Sequence, residues 1–299
     1  MNQRKPTIGF VGLGIMGSAM AKNAAKAGYP VVTTTRSATV REQISREGLL
    51  TVSSPKNVAE TSDAIVIMVT DSKAVQEVLH DVAGVFEANV KGKTLIQMST
   101  LDVKSTVHFS RDAEELGMKF LDCPVAGSKA QVEAGQLILL AGGDSALLDE
   151  WGDFLKVMGK AIVHAGEIGK GTALKLCMNL IVAQMTSALC ESTALAKVLG
   201  VSPKKIFEVL SESPALNCGY FKIKEKALLD EDFTPAFSLN NMLKDVRFMD
   251  QAAKEKRLFI PVTQAVKFVM ESAVQDGLGD FDLSVISKNM KPKVMDGGN

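Results

Sequence analysis

The residues Gly12-Leu13-Gly14-Ile15-Met16-Gly17 follow a short apolar run, Thr7–Val11, and open a helix-like segment, Met16–Ala27. In a strand, turn and helix of this kind, the first glycine allows a tight turn. The second lets a pyrophosphate approach the backbone, and the third permits close packing of the helix. Free N–H groups and the positive end of the helix dipole stabilise the anionic oxygens. The spacing therefore predicts a dinucleotide-binding fold in which residues 12–17 contact the cofactor.

Short apolar runs alternate with helix-like segments from residue 7 to about residue 165. This alternation is typical of a parallel sheet covered by helices on both faces. Each run is too short, and too closely followed by a helical pattern, for a β-sandwich or a barrel. Five runs are strand candidates: Thr7–Val11, Val31–Thr35, Ala64–Val69, Thr94–Gln97 and Leu137–Ala141.

Beyond Gly166 the β-rich runs stop, and a helical period of 3.6 residues continues to about Lys288. The segment Gly171–Leu199 is long and apolar around most of its girth, which predicts a buried helix between two domains, ended by Gly200. A chain of 299 residues is long enough for two domains. We predict an α/β fold with a doubly wound Rossmann domain at residues 1–166. An all-α domain for substrate binding and oligomerisation is predicted at residues 167–299.

The charge balance disfavours nucleic acids and anionic membranes as partners. Lys and Arg together number 34, as do Asp and Glu, so the formal net charge is zero and no basic field is available. No apolar run reaches the roughly 20 residues that span a bilayer, and the N-terminal residues lack the apolar core of a secretory signal. We expect a cytoplasmic protein that acts on a small molecule and forms a homo-oligomer, either a dimer or a tetramer.

Cysteine and histidine spacing predicts no metal site. The four cysteines include no Cys-x-x-Cys pair, and the three histidines are widely scattered. Reduced structural thiols are the expected state of Cys123, Cys177, Cys190 and Cys218.

A cation stands where an NAD-dependent enzyme carries an acidic residue. About 20 residues past the glycine motif, such enzymes place Asp or Glu on the adenosine ribose. This chain instead reads Thr33-Thr34-Thr35-Arg36-Ser37. A guanidinium forms charge-assisted bidentate bonds with a 2′-phosphate, so NADP is predicted over NAD, with a solvated surface position for Arg36 as the alternative. Val69 and Thr70, at the end of a strand candidate, are also assigned to the cofactor.

Lys175 and Asn179 lie four residues apart near the start of the long helix, so both project from the same face. A structural hydrogen-bonded pair is the more common outcome for two such residues. Beside a nicotinamide, however, the pair would have a chemical use. Carbonyl reduction needs a proton donor for the oxygen that gains charge as the hydride arrives.

Several motifs together resemble the β-hydroxyacid dehydrogenase family in order and spacing. They are Thr7–Gly17, Met98-Ser99-Thr100, Asp122–Ser128, Gly171 with Lys175-Leu176 and Asn179, and Lys244-Asp245. Three further segments are most similar to the glyoxylate/succinic semialdehyde reductase branch: Gly127-Ser128-Lys129, Thr234–Phe237 and Gly279–Asp282. The resemblance covers nearly the whole chain.

The resemblance implies a role for each matching residue. Lys175 corresponds to the family's catalytic lysine, and Asn179 to the asparagine that helps hold the substrate oxygen. By the same resemblance, Lys244 contacts the cofactor, and Thr100 contacts both the substrate and the nicotinamide. The loop of Ala126, Gly127 and Ser128 binds the substrate carboxylate. Phe237 and Asp245 line the substrate pocket. Ala126 departs from the serine that the family usually has there, which removes one hydroxyl from the carboxylate site.

The implied activity is NADPH-dependent reduction of small aldehyde- or keto-acids, such as glyoxylate or succinic semialdehyde, with Lys175 as general acid. An NAD(P)-dependent 3-hydroxyacid dehydrogenase of the 3-hydroxyisobutyrate or tartronate semialdehyde type is the alternative. The related imine reductases differ at the lysine position, so Lys175 argues against them. A non-catalytic nucleotide-binding protein is disfavoured because both Lys175 and Asn179 are retained.

Overall fold

A computed structural model describes residues 4–290 of the chain. Contacts divide the chain into two compact units, Met1–Leu176 and Cys177–Asn299. We call them the sheet unit and the helical unit. The division falls inside a long helix, ten residues beyond the predicted domain boundary at 166, and that boundary stays a prediction.

The sheet unit is built on nine strands in the order β3-β2-β1-β4-β5-β6-β8-β7, with β9 paired to β8. The order β3-β2-β1-β4-β5-β6 is that of a dinucleotide-binding sheet. The strands are β1 Ile8–Val11, β2 Val31–Thr34, β3 Leu50–Thr51, β4 Ala64–Ile67, β5 Thr94–Gln97, β6 Lys119–Asp122, β7 Val125–Ala126, β8 Leu137–Gly142 and β9 Gly159–Gly166.

Strand pairing adds detail to the predicted parallel sheet. The strands from β1 to β6 pair in parallel. In contrast, β8 runs antiparallel to both β6 and β7 and parallel to β9. Three predicted strands were too long, because β1 begins at Ile8, β2 ends at Thr34 and β4 ends at Ile67. The prediction for β8 was one residue too short, since that strand ends at Gly142.

Among the described residues, a 3₁₀ helix at Val85–Glu87 and seven α-helices accompany these strands. The α-helices are α1 Ile15–Lys26, α2 Ala38–Arg46, α3 Pro55–Thr61, α4 Ser72–His80, α5 Val103–Glu115, α6 Lys129–Glu133 and α7 Ser145–Met158. Five of them begin after a side chain that accepts a hydrogen bond from a first-turn N–H, the usual N-cap chemistry. These caps are Ser37, Ser54, Asp71, Asp102 and Asp144.

Apolar cores cover both faces of the sheet. Along β4, Ala64 and Val66 pack into one core, while Ile65 and Ile67 pack into another. Successive strand residues point to opposite faces, so this alternation requires helices on both sides. The predicted doubly wound Rossmann fold is confirmed.

The helical unit contains helices and no named strand between residues 177 and 290. Its one β-type pairing there is the isolated bridge between Ser238 and Asp282. The helices are α8 Lys170–Val198, which begins in the sheet unit, α9 Pro203–Glu212, α10 Gly219–Leu229, α11 Leu239–Glu255 and α12 Pro261–Gln275, followed by a 3₁₀ helix at Leu283–Asn289. The predicted all-α second half, with a long first helix, is confirmed.

By length and composition alone, α8 could cross a membrane. The sequence analysis predicted no such helix. In the helical unit, three polar side chains of α8 have side-chain partners on other elements, namely Asn179, Gln184 and Thr186. Gln184 Nε2 donates to Thr263 Oγ1 at 3.1 Å, and Thr186 Oγ1 lies 2.5 Å from the Tyr220 hydroxyl. Such contacts are typical of the core helix of a globular domain.

Candidate active site

The carboxyl ends of four neighbouring strands carry predicted cofactor residues. Val11 at the end of β1 is in register with Thr34 of β2 and with Ile67 of β4, which in turn is in register with Gln97 of β5. The residues that follow these ends are therefore neighbours along one edge of the sheet. They are Gly12–Gly17 after β1, Arg36 after β2, Val69 and Thr70 after β4, and Thr100 after β5.

The glycine loop has the geometry that a bound pyrophosphate requires. Gly12 has φ +100°, and a Cβ there would collide with Met68 O. A Cβ on Gly17 would collide with Gly12 O, so α1 packs closely on the loop. At Gly14, which precedes the first turn of α1, an added Cβ meets no described atom within 4 Å. The middle of the loop is thus open to a ligand at a helix N-terminus, which fits a dinucleotide.

The side chain of Arg36 is 84% exposed. Its Nη1 lies 3.5 Å from Glu77 Oε2 of α4, a distance at which an exposed pair contributes little. Arg41 of α2 donates from Nη1 to Thr35 O and, at 3.1 Å, to Arg36 O. Sequence reasoning missed Arg41, which holds the turn that carries Arg36 and brings a second positive charge to it.

A buried polar cluster shapes the ends of β4 and β5. Ser99 Oγ accepts from Val69 N at 2.9 Å. Gln97 accepts from Ser99 N at 2.6 Å and donates to Ser99 O at 2.9 Å. These bonds fix the turn that leads into Thr100, which is half-buried. Gln97 and Ser99 had no role in the sequence analysis beyond the motif that contains Ser99.

The predicted carboxylate loop begins as a strand and ends at a helix. Ala126 pairs with Ile138 across β7 and β8. Gly127 has φ +151°, and a Cβ there would lie 2.5 Å from Leu137 Cδ2, so glycine is required for both conformation and space. Ser128 N donates to Gln131 Oε1 at 2.7 Å. One of the loop's backbone donors is therefore already engaged within the loop.

Asp122, at the end of β6, is a buried carboxylate to which the sequence analysis assigned no role. It accepts hydrogen bonds from the N–H of Gly169 and from the N–H and hydroxyl of Thr172, at 3.0, 2.9 and 2.6 Å. Burial raises the pKa of Asp122 to about 6, while the hydrogen bonds from Thr172 and Gly169 act to lower it. The motif quoted from Asp122 to Ser128 thus begins with a residue that contacts the start of α8.

Lys175 and Asn179 both belong to α8, as predicted. Lys175 is half-buried and Asn179 is buried. Four residues along an α-helix bring two side chains to the same face, one above the other. The described helix therefore satisfies the geometric condition on which the predicted proton donor and its partner depend.

Three more predicted site residues lie in the helical unit. Asn179 Nδ2 donates to Asp245 Oδ2 at 2.6 Å, and Lys244 Nζ lies 3.0 Å from Asp245 Oδ1. A carboxylate only accepts, so the Asn179 amide turns its NH₂ to Asp245 and leaves its carbonyl oxygen for another partner. Phe237 is half-buried just before Ser238, the N-cap of α11. The structure brings Asn179, Lys244 and Asp245 together.

Two family models together match almost the whole chain. Residues 7–166 match the NAD binding domain of 6-phosphogluconate dehydrogenase. Residues 169–290 match the model described as NAD-binding of NADP-dependent 3-hydroxyisobutyrate dehydrogenase. The chain belongs to the β-hydroxyacid dehydrogenase family. As a member of that family, it is an NAD(P)-dependent oxidoreductase.

Two curated relatives of this β-hydroxyacid dehydrogenase are named as reductases. It is 33% identical to the chloroplastic glyoxylate/succinic semialdehyde reductase 2 of Arabidopsis thaliana, over 95% of this chain and 79% of the relative. It is 32% identical to 2-hydroxy-3-oxopropionate reductase of Escherichia coli, over 93% of this chain and 95% of the relative. The resemblance that the sequence motifs predicted is confirmed.

A solved structure supports the fold. The 3-hydroxyisobutyrate dehydrogenase of Salmonella typhimurium superposes with a TM-score of 0.88 over 95% of this chain and 100% of that chain, at 24% identity. At this identity the likeness shows the shared fold and nothing finer. Hydroxyacid dehydrogenase activity follows from the family and the curated relatives.

Proposed function

We propose that this chain uses NADPH to reduce small aldehyde- or keto-acids, such as glyoxylate or succinic semialdehyde, to hydroxyacids. The observation that carries the proposal is the arrangement on α8. A half-buried lysine stands one turn from a buried asparagine whose amide is fixed by Asp245. This pairing provides a proton donor and a fixed polar group on one helix face.

Lys175 is the general acid of the proposed reaction. NADPH, when bound, supplies the hydride. The ammonium of Lys175 donates a proton to the substrate oxygen as charge develops there, and its own charge stabilises that oxygen. In the reverse direction the neutral amine takes the proton back. Asn179 orients the substrate oxygen, and Thr100 contacts both substrate and nicotinamide.

The substrate carboxylate is held at residues 126–128 in this proposal. Gly127 and the Ser128 hydroxyl supply polar groups, while the Ser128 N–H would first have to leave Gln131. Phe237 and Asp245 line the rest of the substrate pocket. Recognition of an acid therefore depends on few donors, because Ala126 offers no hydroxyl.

NADP is the proposed cofactor in preference to NAD. Arg36, supported by Arg41, lies at the turn after β2, and no acidic residue occurs in the segment 33–37. Residues 12–17, Val69, Thr70 and Lys244 are the other proposed cofactor contacts. Residues 1–166 then form the cofactor domain, and residues 167–299 form the domain for substrate and oligomerisation.

The second candidate is an NAD(P)-dependent 3-hydroxyacid dehydrogenase that mainly catalyses oxidation of the hydroxyacid. It is favoured by the match of residues 169–290 to the model described as NAD-binding of NADP-dependent 3-hydroxyisobutyrate dehydrogenase. Both candidates use the same residues, so the substrate and the preferred direction separate them.

We also propose a dimer or tetramer in the cytoplasm. Large apolar side chains in the helical unit are exposed in the single chain, including Leu195, Leu199, Phe259 and Phe268. Contact with another copy would remove this surface from water.

The four cysteines are free, as expected in a reducing compartment.

Replacing Ala126 by serine tests carboxylate recognition. A hydrogen bond to a charged group contributes about 1.5–3 kcal/mol, so Ala126→Ser should raise kcat/KM for glyoxylate by about tenfold or more. The gain should appear mainly in KM, because the carboxylate is charged in both ground and transition states. The measurement is NADPH consumption by wild type and variant with glyoxylate, succinic semialdehyde and a neutral aldehyde of glyoxylate's size.

Ala130→Ser is the matched control, since Ala130 is exposed in α6, four residues beyond Ala126. The control should behave like wild type with every substrate. If Ala126→Ser changes acidic and neutral aldehydes equally, or changes neither, the carboxylate does not bind at this loop. If the wild type consumes NADPH with none of the acids, the proposed function itself fails.

A further inference from the structure

The first turn of α8 is anchored to the sheet by one side chain, Asp122. Its Oδ2 accepts from both Gly169 N and Thr172 N, and its Oδ1 accepts from Thr172 Oγ1. The side chain has no exposed surface. Since the N–H groups of a helix's first turn have no intrahelical partner, this carboxylate satisfies donors that would otherwise be buried and unpaired.

Neighbouring contacts leave this turn little freedom. Thr172 Oγ1 also lies 3.0 Å from Thr106 Oγ1, which ties the turn to α5. A Cβ on Gly171 would collide with Leu140 O and would lie 2.8 Å from Asp122 O, so the α8 backbone packs directly against the ends of β6 and β8. The first turn of α8 is therefore held against the sheet at residues 169–172.

Asp122 stands between two parts of the proposed active site. Lys175 is three residues beyond Thr172, one helical turn along the same side of α8. In the other direction, residues 123–128 run directly from Asp122 into the proposed carboxylate loop. A shift of Asp122 relative to Thr172 would move the lysine relative to that loop.

We propose that Asp122 is a positioning residue for Lys175. By holding the first turn of α8 against the end of β6, it sets the distance between the ammonium and the loop that receives the substrate carboxylate. This inference rests on the proposed role of Lys175. In this proposal Asp122 acts through Gly169 and Thr172 and not on the substrate directly.

The conservative variant Asp122→Asn tests whether the hydrogen bonds of residue 122 matter and not its negative charge. An asparagine can accept from Gly169 N and Thr172 N with its carbonyl oxygen and donate to Thr172 Oγ1 with its NH₂. Thr172 can then donate to Thr106. The anchor survives in Asp122→Asn, whereas Asp122→Ala removes all three bonds and leaves two buried N–H groups unpaired.

The test compares four full-length variants with wild type. Asp122→Ala should lower kcat about 10- to 100-fold, because small misplacement of a catalytic group is costly, while the Kd for NADPH changes less than about threefold. Asp122→Asn should keep most of the wild-type kcat.

Amide hydrogen exchange measures local opening of the first turn of α8. The exchange rate at residues 169–176 should rise about tenfold or more in Asp122→Ala and stay near the wild-type value in Asp122→Asn. Thr172→Val loses one of the three bonds to Asp122, so its kcat should lie between those of the wild type and Asp122→Ala.

Asp144→Ala is the control for general loss of a helix cap. Asp144 accepts from Ala146 N at 2.9 Å at the start of α7, a helix that carries no proposed site residue. The variant should lower the melting temperature and leave kcat unchanged. Equal loss of kcat in Asp144→Ala and Asp122→Ala would overturn the proposal.

Two further results would also overturn it. In one, exchange at residues 169–176 rises in Asp122→Ala while kcat stays at the wild-type value. In the other, Asp122→Asn is as impaired as Asp122→Ala. If Asp122→Ala does not fold, Thr172→Val decides: its kcat should fall about threefold or more, and an unchanged kcat would exclude positioning. If Lys175→Ala keeps full activity while Asp122→Ala loses it, the proposed role of Lys175 fails instead.

Discussion

Lys175→Ala is expected to lower kcat by about 10²–10⁴-fold, the usual contribution of a positioned general acid. Without the ammonium, neither a proton nor a positive charge meets the oxygen that receives the hydride. The Kd for NADPH should stay near the wild-type value, because the proposed pyrophosphate contacts lie in the glycine loop at residues 12–17 and not at Lys175. Steady-state kinetics with the best acid substrate, together with NADPH titration, measures both quantities.

Lys170→Ala is the matched control for this prediction. Lys170 is exposed at the start of the same helix, five residues before Lys175. Its loss removes one positive charge from α8 and should leave kcat unchanged. A Lys175→Ala enzyme with wild-type kcat would exclude a proton-donor role for this lysine, whatever happened to substrate affinity.

Arg36→Ala is expected to reduce the preference for NADPH over NADH by about 10- to 150-fold. A charge-assisted bond of this type contributes roughly 1.5–3 kcal/mol, and each 1.36 kcal/mol corresponds to a factor of ten. The Arg36 side chain is 84% exposed, and its contact with Glu77 is long at 3.5 Å, so the guanidinium is available to a 2′-phosphate. The ratio of kcat/KM for the two cofactors, at saturating substrate, measures the effect.

The matching control is Arg46→Ala. Arg46 is exposed in the last turn of α2 and pairs with Glu42 at 3.7 Å, away from the turn after β2. This variant should keep the cofactor preference of the wild type. A wild type that prefers NADH, or an Arg36→Ala enzyme that still prefers NADPH, would contradict the cofactor assignment.

The parts of the fold that the sequence predicted are those set by local rules. Gly12 and Gly17 are required by backbone geometry, and the buried strand β4 appears as a continuous apolar run. β3 and β7 have two residues each, too few to form a pattern. β6 begins with exposed Lys119, and much of β9 is exposed, so neither looks like a buried parallel strand.

The sequence predicted which residues belong to the site, but it did not predict the contacts that these residues make with one another. The family resemblance selected Asn179 and Asp245, but the bond between them joins residues 66 positions apart and depends on how α8 packs against α11. Arg41 and Asp122 act through backbone groups of other segments, Thr35 and Gly169 among them. No local spacing in the sequence signals such contacts.

The central claim, hydride transfer from NADPH to a small aldehyde acid, has a direct test in isotope transfer. The wild-type chain would be incubated with glyoxylate and NADPH that carries deuterium at the transferred C4 position, and the product analysed by mass spectrometry. We expect glycolate with one deuterium on the carbon that was the aldehyde, and the same outcome at the reduced carbon of succinic semialdehyde. Unlabelled products, or no hydroxyacid from either substrate, would contradict the proposed function.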